Sequence, residues 1–173
     1  MRFIRQAIEA DAPHLPSIER SAGQAFLRIP ELSWIADDDV LTEDRHRELI
    51  RGGATWVAVE PSSPPIGFIS GEITKTNLHI WALAVRFDRQ GEGLGRELLE
   101  TARRSAVHAK LASMTLTTFR DVPWNAPFYQ SLGFEILPPL QTPPFLSALL
   151  DAEVAAGLPA DRRCAMQLSL SPT

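Results

Sequence analysis

Leu78–Glu100 reads LHIWALAVRFDRQGEGLGRELLE, and this stretch decides how the rest of the chain is arranged. Leu78 to Val85 is an apolar run with the length and composition of a buried strand. From Leu94 onward, Leu94, Leu98, Leu99, Ala102 and Ala106 fall at helical spacing. Between the two lies Arg89-Gln90-Gly91-Glu92-Gly93-Leu94-Gly95-Arg96. A strand, a glycine-rich turn and a helix in succession make an anion site. The first N–H groups of a helix have no partner within it, and the helix dipole places partial positive charge there. Glycines remove the Cβ atoms that would hold a phosphate away from the backbone.

The spacing excludes two phosphate-binding patterns. A P-loop needs Lys followed by Ser or Thr after its second glycine, and neither is present. The dinucleotide fingerprint needs a third glycine where Arg96 stands. The pattern that fits is Gln/Arg-x-x-Gly-x-Gly/Ala, through Gln90, Gly93 and Gly95. It resembles the acetyl-CoA pyrophosphate loop of the GNAT superfamily of N-acetyltransferases.

With 173 residues the chain is expected to form a single domain, 1–173, with a full core. Hydrophobic residues make up 45% and charged residues 22%, as in an ordinary water-soluble globule. A net charge of −4 gives no reason to expect nucleic acid or an anionic membrane as partner. The one cysteine, Cys164, rules out an intrachain disulfide and fits a reducing, cytoplasmic setting. No apolar run approaches the ~20 residues of a membrane span, and the N-terminus lacks the pattern of a signal peptide. No residue is read as a metal ligand.

Working outward, Arg2–Ala7 is expected as a short strand. Asp11 is expected to cap a helix carrying Leu15, Ile18, Ala22, Ala25 and Phe26 on one face, closed by Pro30. Asp37, Asp38 and Asp39 read as an acidic loop. Thr42 opens a helix that ends at Gly52-Gly53. Thr55–Glu60 and Ile66–Thr74 are strands, and Lys75-Thr76 turns the second into Leu78–Val85. Met114–Phe119 follows the long helix as a strand parallel to Leu78–Val85, because a helical crossover joins them. Trp124–Leu132 is a short helix and Phe134–Leu137 a strand. Phe145–Ala156 is a helix within a C-terminal insertion of about 138–160, and Arg163–Leu170 is the last strand. The fold class is α/β: a GNAT-like mixed, mostly antiparallel central sheet with helices on both faces.

A second motif supports the same resemblance. Asn125-Ala126-Pro127-Phe128-Tyr129-Gln130-Ser131-Leu132-Gly133-Phe134 is similar to the GNAT pattern Asn-x-x-Ala/Pro-x-x-Phe-Tyr-x-x-x-Gly-Phe in its short form. Apolar packing accounts for Phe128, Leu132, Gly133 and Phe134, but not for Asn125 and Tyr129. The resemblance implies an acetyl-CoA-dependent acyltransferase, acetyl-CoA being the co-substrate. It implies that the backbone of Leu83, Ala84 and Val85 pairs with the pantetheine arm like an added strand. It implies that Gln90, Gly91, Gly93, Leu94, Gly95 and Arg96 hold the pyrophosphate, with charge from Arg89 and Arg96. Asn125 and Phe128 would complete the cofactor site, and Tyr129 would be the general acid, a phenol of pKa ~10 that can donate to a thiolate.

The base is less plainly written. Many relatives carry Glu on the central strand where Ala82 stands here, and others on the next strand where Thr117 and Thr118 stand. His79 is the nominee: strand alternation puts it on one face with Trp81 and Leu83 unless a bulge intervenes, and a two-residue turn puts Glu72 opposite it; the other reading is a structural histidine, with Glu72 as the base or an amine that arrives neutral and needs none. The acceptor is expected to be a small-molecule or peptide amine. Asp37, Asp38, Asp39, Glu43 and Asp44 point to a cationic one. The rival reading is a non-catalytic acyl-CoA sensor of the same fold. For residues 138–160, lining the groove, covering it and forming a homodimer contact all remain open.

Overall fold

Asn77–Val85 forms β4, the strand on which the sheet is built. The structure, a computed structural model, describes residues 1–170. The other strands are β1 (Phe3–Gln6), β2 (Thr55–Val59), β3 (Gly67–Thr74), β5 (Ser113–Phe119), β6 (Glu135–Ile136) and β7 (Arg163–Ser169). Their order in the sheet is β1-β2-β3-β4-β5-β7-β6. Every neighbouring pair is antiparallel except β4 with β5. The exception is the pair joined by the crossover helix α3 (Leu94–His108). The last strand, β7, enters between β5 and β6 and leaves the two-residue β6 as an edge.

Helices cover both faces. On one, α3 presses Leu94, Leu98, Leu99, Ala102 and Ala106 onto the sheet, where they join Leu78, Ile80, Met114 and Leu116 in one core. The short helix α4 (Ala126–Gln130) adds Ala126 and Tyr129 to the same core. On the other face, α1 (Leu15–Gly23) sets Leu15 and Ile18 against Val57, Val59, Phe68 and Ala84. Helix α2 (Glu43–Arg51) contributes Ile50 there, capped by Thr42, whose side chain accepts the N–H of Arg45. Helix α5 (Pro144–Ala155) packs on β5 and β7.

Two departures from the expected order have physical causes. Asp11 is not the cap of α1: it lies inside a 3-10 segment, Glu9–His14. Its carboxylate accepts the Ile8 N–H at 2.8 Å and pairs with Arg5. The α-helix starts at Leu15, where Pro16 fits the first turn because its missing N–H would have no helical partner anyway. Likewise Pro30 opens a further 3-10 segment, Pro30–Asp37, rather than only closing the helix before it.

A third departure shapes the site. Ser70 pairs with Ala82 and Gly71 with Ile80, so Trp81 is an extra residue in β4, a bulge. Leu78 and Ile80 face α3, as do Leu83 and Val85, while Ala82 and Ala84 face α1. His79 and Leu83 therefore point to opposite faces, and the expectation that they share one is corrected. The bulge requires a glycine opposite it: a Cβ on Gly71 would lie 2.7 Å from Leu78 Cδ1 and 3.1 Å from the His79 carbonyl. Beyond it, β4 and β5 part company. Only Asn77–His79 pairs with Ser113–Thr115, so among the described residues Ile80–Val85 has a sheet edge with no strand on it.

Candidate active site

The parting of β4 and β5 opens a cleft of about 840 Å³. Leu83, Ala84 and Val85 form one wall with their unpaired edge. The turn into α3 forms the floor: Gln90, Gly91, Gly93, Leu94, Gly95 and Arg96 all line it. Gly91 and Gly93 have φ of +83° and +84°, a backbone that glycine adopts at no steric cost, and a Cβ on either would project into open space. No side chain caps α3, so the first N–H groups of this helix are left for a ligand.

Charge around that turn is already organised. Arg2 donates to the Glu92 carbonyl at 2.8 Å and to its carboxylate at 2.9 Å. Arg89 pairs with Glu60 at 2.7 Å and Glu92 at 3.0 Å. These contacts fix the loop and hold Arg89 to carboxylates, whereas Arg96 makes no ion pair among the described residues. Gln90 Nε2 donates to the Val85 carbonyl at 3.1 Å, tying the turn to the end of β4.

The opposite wall comes from α4 and the residue before it. Asn125 donates its amide to the Trp124 carbonyl at 3.3 Å, but its Oδ1 is buried without a partner. A buried unpaired acceptor is costly, and it suits an N–H of a bound molecule. Phe128 stands 3.7 Å from where a Gly95 Cβ would be, and packs edge-on against Tyr129 at 5.2 Å. Tyr129 is buried among the core of α3 and lines the same cleft. Burial raises its phenol above the ordinary value, so it stays protonated at neutral pH.

His79 is placed elsewhere. It is 5% exposed, does not line the cleft, and its Nδ1 lies 3.0 Å from the Thr115 hydroxyl. Trp81 and Phe145 enclose its ring at 4.6 and 6.0 Å. Burial pushes its pKa down to about 4, so it is neutral through the physiological range. Glu72 does fall opposite it in register, but its carboxylate goes to Trp81 Nε1 at 3.1 Å and to Arg45 at 3.3 Å. Of the three aspartates, Asp38 and Asp39 line the cleft while Asp37 ends the 3-10 segment outside it. The cleft contains one carboxylate that sequence patterning did not single out, Glu19 of α1. Its signal was its position: Glu19 follows Leu15 by four residues, on the same helical stripe.

Comparison with known proteins agrees with this geometry. Residues 51–136 match the family model described as an acetyltransferase (GNAT) domain. Among solved structures, the PaiA N-acetyltransferase of Thermoplasma acidophilum, crystallised with coenzyme A, superposes with a TM-score of 0.70. It is 16% identical, over 98% of this chain and 99% of that one. The ribosomal-protein-S18-alanine N-acetyltransferase of Escherichia coli gives 0.70 at 18% identity, over 100% and 96%. Ard1 of Thermoplasma volcanium gives 0.68 at 18% identity, over 99% of each chain. Residues 51–136 thus match an acetyltransferase (GNAT) domain, and the chain shares its fold with these structures along its length.

Proposed function

We propose that the protein is an N-acetyltransferase that moves the acetyl group of acetyl-CoA to a primary amine by direct attack. One observation carries the reading: the free edge of β4, the glycine turn at the start of α3, the unpaired Asn125 Oδ1 and Tyr129 converge on a single cleft. Acetyl-CoA supplies the activated acetyl thioester. The backbone of Leu83–Val85 holds the pantetheine arm as an added strand, and Asn125 Oδ1 accepts one of its N–H groups. The N–H groups of Gly91, Gly93, Gly95 and Arg96, with Gln90 and Leu94 shaping the turn, hold the pyrophosphate. Phe128 flanks the cofactor. Tyr129 donates its proton to the departing thiolate, and holding the amine against the carbonyl supplies the rest of the rate.

The acceptor is an amine of a small molecule or a peptide, and the acidic side chains at the far end of the cleft favour a cationic one. The test is a turnover screen with acetyl-CoA over polyamines, amino acids, aminoglycosides and peptide N-termini, beside calorimetry with CoA. Acetylation of one amine class with CoA binding supports the reading. CoA binding with no acetylation of any amine would favour a sensor, and no CoA binding would end both readings.

A further inference from the structure

One end of the cleft is lined by residues other than those assigned to the cofactor. Helix α1 and the chain after the 3-10 segment form it, bringing Glu19, Ala22, Asp38, Asp39 and Val40 together. Glu19 is unlike its neighbours there. Its side chain is 21% exposed, whereas Asp38 and Asp39 are open to solvent. One carboxylate oxygen, Oε2, accepts the Leu41 N–H at 3.1 Å. The other, Oε1, is buried with no hydrogen-bond partner and lies 3.9 Å from Nε2 of His46 on α2.

His46 is itself anomalous. It is fully buried, packs edge-on to Phe68 at 5.1 Å, and neither ring nitrogen has a hydrogen-bond partner among the described residues. An apolar pair of similar size would fill this position without unpaired polar atoms, so packing alone does not explain it. Burial lowers His46 to about 4 and raises Glu19 to about 7. Near neutral pH the imidazole is uncharged and the carboxyl alone exchanges a proton. The Leu41 N–H bond and Arg20, next to Glu19 on α1, draw its pKa down, and Asp38, Asp39 and Arg28 line the same cleft.

We propose that Glu19 is the base that takes the proton of the acceptor amine, with His46 as a positioning residue behind it. The inference rests on the acetyl-transfer reading. An amine arrives as an ammonium with no free lone pair. The Glu19 carboxylate takes one proton and passes it to solvent, and the freed lone pair forms the C–N bond as the C–S bond of the thioester breaks. The second proton lost from nitrogen replaces the one that Tyr129 gives the thiolate. The products are the amide, the free thiol of CoA and one released proton. Once protonated, Glu19 can turn its hydroxyl towards Nε2 of His46, 3.9 Å from Oε1.

The experiment measures kcat/KM against pH with spermidine, L-lysine and an alanine-initiated peptide as acceptors, in wild type, Glu19→Gln and Glu19→Asp. Wild type should rise through an apparent pKa near 7. Glu19→Gln should lose that limb and about 10²–10³-fold of activity at pH 7, a typical contribution of a general base. The deficit should shrink as pH approaches the amine's own pKa, because a neutral amine needs no base. Glu19→Asp should keep the limb at lower kcat, and CoA affinity should stay within about twofold in both variants, by calorimetry that also reports folding. Turnover with the limb intact in Glu19→Gln would overturn this inference alone. CoA binding with no turnover of any probe by wild type would overturn the acetyl-transfer reading and this one with it.

Discussion

Tyr129 and Gly93 are the single residues on which the proposed chemistry turns most directly. Tyr129 is 8% exposed, and burial keeps its phenol protonated, the state a general acid needs at neutral pH. Tyr129→Phe keeps the ring and its edge-on contacts with Phe128 and Phe134 and removes only the proton donor. Turnover should fall by roughly 10²–10⁴-fold while CoA affinity changes little. Steady-state kinetics showing wild-type kcat would remove Tyr129 from the mechanism. Gly93 acts through its backbone: at φ +84° it turns β4's exit into α3. Gly93→Val puts a β-branched side chain into a conformation that costs such residues on the order of 1–3 kcal/mol, at the mouth of the helix. CoA binding should be lost while the circular dichroism stays native. Unchanged CoA affinity by calorimetry would show that the pyrophosphate lies elsewhere.

Elements differ in how far the sequence discloses them. The β4–turn–α3 unit is legible because its signals are local: an apolar run, three glycines and a helical leucine stripe. The bulge at Trp81 is not, because its cause lies across the strand pair, where Gly71 lets Leu78 and His79 approach. That one residue turns His79 away from the face of Leu83, and His79 does not line the cleft. Glu19 is hidden for the same reason, a cause distant in the sequence. It sits on a stripe read as apolar, and only the chain folding back to Leu41 and His46 buries its carboxylate. The entry of β7 between β5 and β6 is a long-range pairing that no local pattern specifies. At this scale the segment from Pro30 to Val40 carries a prediction. It brings Asp38 and Asp39 to the cleft but leaves Asp37 outside. Asp38→Asn with Asp39→Asn should raise KM for a cationic amine several-fold, more at low salt than at high, since exposed charges are screened over about 10 Å at 0.1 M. Asp37→Asn should leave KM unchanged. A KM insensitive to the double change at every ionic strength would make the pair solvent decoration.

The molecule as a whole couples its folding to pH through the buried ionisable groups on the face opposite α3. His46 and His79 have folded pKa values of about 4, both lowered by burial, against ~6.5 in an unfolded chain. Such groups contribute stability that is present above the unfolded pKa and lost as pH falls through the folded one. Between those values the unfolded chain binds up to two more protons than the native one. Glu19 acts with the opposite sign. Its folded pKa of about 7, raised by burial, stands above the unfolded value of ~4.3, so its contribution is present below that value and lost as pH rises through about 7. From pH 4.5 to 6.5 the two histidines outweigh the one carboxyl by a single proton, so stability should climb by at most about 1.4 kcal/mol per pH unit. Above that window the unfolded histidines and the folded Glu19 carboxyl lose their protons over nearly the same range, so the profile levels off near pH 7. Glu19→Gln removes the opposing proton. The climb should then steepen to at most about 2.7 kcal/mol per unit. Urea unfolding at half-unit intervals from pH 4.5 to 7.5 reads both slopes from the shift in midpoint at constant m. Identical profiles in wild type and Glu19→Gln would mean that Glu19 titrates as an ordinary carboxylate, and the proton acceptor at the far end of the cleft would have to be sought in another group.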